Sequence, residues 1–164
     1  MKPFCVIIYL GEDMVDILFV CTGDTCRSTM ASSIMKEKIE KMNLKALNCS
    51  SSGLFVTHEI NMNENAKKAL KVLGIKPYKH KATQLTENLI KSYTYVLTMT
   101  QEQAETIQNR FPQYKNVFSL KNFIGAENVL DPYGKGEELY IKVASYLDIV
   151  TDAIIKKLIT NGEI

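Results

Sequence analysis

The stretch that decides the fold is an apolar run that leads into a short polar loop, Ile17-Leu18-Phe19-Val20-Cys21-Thr22-Gly23-Asp24-Thr25-Cys26-Arg27-Ser28. The apolar run predicts a buried strand, and the pattern after Ser28 predicts a helix. A loop between a strand and a helix N-terminus binds anions, because its N–H groups converge and the helix dipole adds positive potential. Cys21 is expected to be a thiolate there near neutral pH, and Arg27 can hold two phosphoryl oxygens. The stretch therefore predicts a cysteine nucleophile that attacks phosphorus.

The rest of the loop is consistent with that chemistry. Gly23 is expected to supply the positive φ that such a loop needs, and the Ser28 hydroxyl can hydrogen-bond the thiolate. A cysteine at a strand end can also be a small core residue, but the order of strand, loop and helix favours a functional one. We therefore assign substrate binding to the remaining loop residues, Thr22, Gly23, Asp24, Thr25, Cys26 and Ser28.

Composition restricts the class of protein. A chain of 164 residues with 46% hydrophobic and 23% charged residues suits one soluble domain. Its net charge is +2 and its basic residues are dispersed, which argues against a nucleic-acid partner. The apolar run at residues 4–10 is too short to span a membrane and lacks a signal cleavage site. We expect a cytoplasmic protein without a membrane segment.

The four cysteines are Cys5, Cys21, Cys26 and Cys49. Their spacing fits neither a secreted disulfide framework nor a paired zinc motif, and we expect no metal and no cofactor. Cys21 and Cys26 share one loop, so either they form a reversible disulfide or Cys26 simply packs under the loop. Cys49 is expected to be a core residue.

Strands and helices alternate along the chain, which predicts an α/β domain with a parallel sheet. Strands are predicted at residues 15–20, 46–51, 95–99 and 116–120. Helices are predicted at residues 29–42, 63–73, after Thr86, from Thr100 to just before Pro112, and at 137–158. The domain spans residues 14–164. Residues 1–13 form an N-terminal extension, in which residues 4–10 add an edge strand unless Met14 is the natural start.

A phosphoryl-transfer site also needs an acid for the leaving group, and Asp131 is the best candidate. Pro132 biases Asp131 towards an extended backbone, Tyr133 can form a wall of a substrate groove, and Gly134 lets the loop turn. Taken alone, an Asp-Pro pair is typical of an ordinary turn. The cysteine loop elsewhere in the chain favours a catalytic role.

These two motifs together resemble the low-molecular-weight protein tyrosine phosphatase family, over nearly everything from Met14 onwards. Between them, in the family's order, lie Ser52-Gly53, Gly74-Ile75, the His80 region and Val96-Leu97-Thr98-Met99. The resemblance implies a four-stranded parallel sheet with helices on both faces. It also implies a phosphocysteine intermediate at Cys21, phosphate binding by the loop amides and Arg27, and acid–base catalysis by Asp131. Phosphorylated proteins would be the substrates, and the enzyme is expected to be a monomer.

Thr25 points to one branch of that family. Phosphotyrosine members usually carry a larger aliphatic residue here, whereas this chain is similar to the bacterial protein-arginine phosphatases, which have threonine and an Asp-Pro-aromatic-Gly loop. The threonine hydroxyl is small and polar, so it can support attack on phosphorus attached to a planar guanidinium. Asp131 can pair with that guanidinium as well as protonate it.

The chain also departs from the family. Asp24 replaces the usual asparagine, which adopts a strained conformation and has a histidine partner that His80 matches. Aspartate tolerates positive φ almost as well as asparagine. His80 is either the ionic partner of Asp24 or a solvated loop residue. A carboxylate beside a phosphate site is unfavourable unless it is neutralised. Thr29 stands where the family has proline, and a usual acidic residue is missing near Thr94.

Three rival functions remain. Thiol-coupled arsenate reduction needs further cysteines downstream, and none follows Cys49. A cysteine phosphocarrier of a sugar phosphotransferase system also phosphorylates a cysteine after the first strand, but it has no need of Arg27 and Asp131. A weakened phosphate-binding module is the third alternative, suggested by Asp24.

Overall fold

The computed structural model describes residues 13–57 and 60–164. Its sheet has four parallel strands in the order β2-β1-β3-β4, as predicted. The strands are β1 (Val15–Cys21), β2 (Leu47–Gly53), β3 (Tyr95–Thr98) and β4 (Val117–Ser119). The possible edge strand at residues 4–10 lies outside the described residues. In the described part of the chain, no helix is long and apolar enough to cross a membrane.

Helices connect the strands. They are α1 (Arg27–Met42), α2 (Glu64–Val72), α3 (Glu87–Ser92), α4 (Gln101–Arg110), α5 (Leu120–Ile124) and α6 (Glu137–Thr160). Helix α1 begins two residues earlier than predicted, at Arg27. The prediction of a strand over residues 116–120 was wrong at its end, because the Ser119 hydroxyl accepts from the Asn122 N–H and starts α5, which the sequence analysis missed.

Local capping explains why several helices start where the sequence predicts. Asn63 and Thr86 accept hydrogen bonds from N–H groups of the first turns of α2 and α3. Thr100 and Gln103 form the predicted capping box at the start of α4. Gly74 follows α2 with φ 75°, as expected of a glycine just beyond a helix end.

The core has two parts because side chains alternate along β1. Ile17 and Phe19 point to the larger cluster, which α1, α2 and α6 cover. Leu18 and Val20 point to the smaller cluster, which includes Ile90 of α3 and Ile107 of α4. The predicted arrangement of helices on both faces of the sheet is therefore confirmed.

Strand β1 is an inner strand, and its carboxyl end is where the loops converge. Cys21 pairs in register with Gly53 of β2, and Val20 pairs with Thr98 of β3. The Val129 N–H donates to the Met99 carbonyl at 3.0 Å, which brings the segment before α6 to the same edge. Segments distant in sequence therefore meet beside the loop that follows β1, as is usual at the carboxyl edge of a parallel sheet.

Candidate active site

The loop at residues 22–26 is fixed by backbone contacts with the segment that follows β2. The carbonyls of Cys21 and Thr22 accept hydrogen bonds from the Leu54 and Phe55 N–H groups at 3.0 and 2.9 Å. A Cβ on Gly53 would lie 2.9 Å from the Asp24 nitrogen, so only glycine lets the two backbones approach this closely. This role of Gly53 was not predicted from the sequence.

Asp24 is the residue of this loop that has a positive φ, at 53°. The expectation that Gly23 supplies it was wrong, because the glycines with positive φ in the described residues lie elsewhere. Aspartate adopts this conformation more readily than most residues with a side chain. Its side chain is then completely buried beneath the loop.

Cys21 is the last residue of β1, and its thiol lies against α1. Its Sγ is 3.0 Å from the Ser28 Oγ, in the first turn of that helix. The Ser28 hydroxyl also lies 2.8 Å from Asp24 Oδ1, to which it donates when that carboxyl is ionised. Thr29 donates its hydroxyl to the Cys26 carbonyl at 2.9 Å. The loop and the helix start are thereby tied together by side-chain hydroxyls.

Asp24 and His80 form a buried pair. The His80 Nε2 lies 2.8 Å from the Asp24 carbonyl oxygen and 3.3 Å from its Oδ2. Since only 6% of the His80 side chain is exposed, it is not a solvated loop residue. Burial works to lower the pKa of the imidazole, but hydrogen bonds and charge attraction from Asp24 outweigh it and raise the pKa above its usual value. When the Asp24 carboxyl is ionised, His80 therefore helps to balance its charge.

Arg27 and Asp131 connect the cysteine loop to the segment before α6. The buried guanidinium donates from Nη1 to the Val129 carbonyl at 3.2 Å, and its Nη2 is 3.3 Å from Asp131 Oδ2. The Asp131 side chain is 55% exposed, and its Oδ1 accepts from the Tyr133 N–H at 3.1 Å. This turn holds an accessible carboxyl beside an oriented guanidinium.

These groups surround a cavity of about 230 Å³. Its lining includes the predicted site residues Cys21, Thr22, Gly23, Thr25, Cys26, Arg27, Asp131 and Tyr133. It also includes Phe55, Val56, Thr57 and Ile60, which the sequence analysis missed. The predicted residues Asp24, Ser28 and His80 do not line it: Asp24 and Ser28 lie buried beneath the loop, and His80 contacts Asp24.

The two remaining described cysteines are free thiols with different surroundings. Cys26 is buried under the loop with its Sγ 3.3 Å from the Tyr140 hydroxyl, and burial raises the pKa of its thiol. Cys49 packs in the core as predicted, and burial raises the pKa of its thiol to about 12. Burial therefore favours the neutral thiol at both positions.

Comparison with known proteins identifies the family. The model of the low molecular weight phosphotyrosine protein phosphatases matches residues 16–163. The chain belongs to that family. It is therefore a low molecular weight protein phosphatase, and both the predicted family and the predicted fold are confirmed. Membership favours a hydrolase over the phosphocarrier and over a module that only binds phosphate.

Individual relatives of this phosphatase support its assignment to the family. A protein-arginine-phosphatase of Geobacillus stearothermophilus is 35% identical, with 88% of this chain and 97% of the relative covered. The protein-tyrosine-phosphatase PtpA of Staphylococcus haemolyticus is 32% identical, with 87% and 96% covered. A structure of a YwlE arginine phosphatase variant, with a phosphorylated serine in place of its active-site cysteine, has a TM-score of 0.82 and 34% identity, with 88% and 95% covered. The relatives thus include both phosphoarginine and phosphotyrosine enzymes.

Proposed function

We propose that this chain hydrolyses phosphoarginine residues of proteins through a phosphocysteine intermediate on Cys21. The observation that carries the proposal is one cavity bordered by the Cys21 thiol, the Arg27 guanidinium and the accessible Asp131 carboxyl. The phosphoryl group would lie against the loop N–H groups and the free edge of Arg27. The active-site serine that is phosphorylated in the YwlE variant supports a nucleophile at this point of the fold.

The reaction has two steps. In the first, the Cys21 thiolate attacks phosphorus, an S–P bond forms, and the P–N bond breaks while Asp131 protonates the leaving guanidine nitrogen. In the second, the Asp131 carboxylate takes a proton from water, the water oxygen attacks phosphorus, and the S–P bond breaks. A Ser28 hydroxyl that donates to Cys21 would stabilise the departing thiolate, since the two atoms are 3.0 Å apart.

Selection of phosphoarginine is assigned to Thr25 and Asp131. Thr25 lines the cavity with its Oγ1 3.6 Å from the Cys26 Sγ, so its side chain borders the space beside the phosphorus. Asp131 can accept hydrogen bonds from a guanidinium that arrives over the cavity. The relatives named protein-arginine-phosphatases support this choice.

Phosphotyrosine is the second candidate substrate. Phe55 and Tyr133 border the cavity and are both largely exposed, and an aromatic ring could pack against them. The PtpA relative supports this alternative. The cytoplasmic location and the monomeric state stay predictions.

The test is kcat/KM on phosphoarginine and phosphotyrosine peptides of one sequence. We expect wild type to prefer phosphoarginine, and Thr25→Ile to shift the ratio by at least about tenfold towards phosphotyrosine, or about 1.4 kcal/mol. Thr160→Ile, on the exposed end of α6, is the matched control and should leave the ratio unchanged. Cys21→Ser should abolish turnover of both peptides. A wild-type preference for phosphotyrosine would contradict the substrate assignment and leave the phosphatase assignment intact.

A further inference from the structure

Cys21, Ser28 and Asp24 form a chain in which one hydroxyl faces two acceptors. The Ser28 Oγ is 3.0 Å from the Cys21 Sγ and 2.8 Å from Asp24 Oδ1. A serine hydroxyl carries a single proton, and an ionised thiol and an ionised carboxyl carry none. If both Cys21 and Asp24 were anionic, Ser28 could donate to only one of them.

The other contacts of Asp24 do not supply a second hydrogen-bond donor to Oδ1. The Thr83 N–H donates to Oδ2 at 2.9 Å, and the His80 Nε2 is nearest to the same oxygen and to the carbonyl. Among the described residues, Ser28 alone hydrogen-bonds to Oδ1. A proton on Oδ1 would complete the chain, because Asp24 would then donate to Ser28 and Ser28 would donate to the Cys21 thiolate.

We propose that Asp24 is a positioning residue that receives, through Ser28, the proton that Cys21 gives up when the nucleophile forms. The S–H bond of Cys21 breaks and its proton passes to the Ser28 Oγ, while the hydroxyl proton of Ser28 passes to Asp24 Oδ1. No proton enters or leaves, so the number of protons and the net charge are unchanged. The inference rests on the proposed function, in which Cys21 is the nucleophile.

Repulsion between anionic groups favours this distribution of protons when substrate binds, because a phosphoryl group, a thiolate and a carboxylate would otherwise place three anionic groups around one loop. A protonated His80 beside Asp24 opposes the transfer, since it favours the ionised carboxyl. Lys36 of α1 works to lower the pKa of His80 and so weakens that opposition, while Arg27 faces the cavity side of the loop. Transfer of the proton removes the carboxylate charge and leaves the thiolate with a hydrogen-bond donor. An asparagine at this position would donate an N–H at every pH and would need no such transfer.

The test measures the ionisation of the Asp24 carboxyl by 13C NMR on protein labelled at aspartate, with the Asp24 signal assigned from its absence in Asp24→Asn. Near neutral pH, wild type should show a neutral Asp24 carboxyl. In Cys21→Ser, which cannot form a thiolate, the titration midpoint of Asp24 should fall by at least about one pH unit, a tenfold loss of proton affinity. The Asp16 carboxyl, near the other end of β1 and bonded to the Asn48 amide, is the internal control and should give the same signal in both proteins.

A second pair of variants tests the route through Ser28. In a Ser28→Ala background, Cys21→Ser should shift the Asp24 titration midpoint by less than half of the shift seen when Ser28 is present. Only through-space charge then couples the two groups. Alkylation of Cys21 in otherwise unchanged protein should lower the Asp24 midpoint in the same direction without a mutation. An Asp24 that is ionised in wild type near neutral pH, or a shift that is as large without Ser28, would overturn the proposal. If the coupling is found but neither phosphopeptide is hydrolysed, the proposed function fails and the proton transfer stands.

Discussion

The role of Asp131 can be tested by separating its acid chemistry from its structural contacts. Asp131→Asn removes the acid and keeps an oxygen that can accept the Tyr133 N–H, which now donates to Oδ1 at 3.1 Å. Asp131→Ala removes both. The ion pair with Arg27, at 3.3 Å, involves a carboxyl that is 55% exposed, so its loss should cost at most about 1 kcal/mol of stability.

The expected kinetic effect is much larger than that structural one. General acid–base catalysis contributes about 10²–10⁴-fold, which corresponds to about 2.7–5.4 kcal/mol of transition-state stabilisation. Both Asp131→Asn and Asp131→Ala should therefore lose about 10²–10⁴-fold in kcat/KM on a phosphoarginine peptide. Their melting temperatures should stay within a few degrees of wild type.

The assay compares that peptide with p-nitrophenyl phosphate, whose leaving group departs without a proton. On the activated ester the loss in the first step should shrink, because protonation of the leaving group no longer limits the rate. Single-turnover measurements isolate this step from the later attack of water. Equal losses on both substrates, or Asp131→Asn retaining activity that Asp131→Ala lacks, would refute the acid role and assign Asp131 to loop structure.

Three further variants test the rest of the site. Arg27→Lys should lower kcat/KM by at least about 10²-fold, because a point charge cannot reproduce the two-pronged contact with phosphate; the steady-state rate on either substrate shows this. Wild type inactivated by mild peroxide should recover its activity with a thiol reductant, because Cys21 and Cys26 form a reversible disulfide. Cys26→Ala should stay inactive, because Cys21 is then over-oxidised. Full recovery of that variant would contradict protection of Cys21 by Cys26. Gly53→Ala should lower the free energy of unfolding in urea by about 1–3 kcal/mol and impair turnover, because its Cβ would meet loop backbone at 2.9 Å. Gly136→Ala is the control, because there is open space around that residue.

The parts of the fold that the sequence predicted are those set by local signals. A buried strand, a polar loop and a helix start within 12 residues placed Cys21 at the end of the first strand, where the structure has it. The capping box of Thr100 and Gln103 marked the start of α4, since both partners lie within one turn. Such features depend on residues that are close in sequence, so they can be predicted without knowledge of the tertiary structure.

The parts that were missed depend on distant contacts or on very short elements. Helix α5 has five residues, and its only local signals were Ser119 before it and Gly125 after it. Phe55 and Ile60 border the cavity because the segment after β2 is bonded to the cysteine loop, which no spacing in the sequence reveals. The expectation of positive φ at Gly23 was wrong for a similar reason, because His80, 56 residues from Asp24, contacts both the carbonyl and the carboxyl of that loop residue.

The bond between Arg27 and the Val129 carbonyl has a consequence for how the enzyme is made. The carbonyl belongs to a residue 102 positions further along the chain, and the Asp131 carboxyl follows it. During synthesis the cysteine loop leaves the ribosome long before the segment that contacts its arginine and carries the proposed acid. An incomplete chain would therefore carry the proposed nucleophile without its proposed acid. The complete site is expected only when this late segment has been made and has packed against α1.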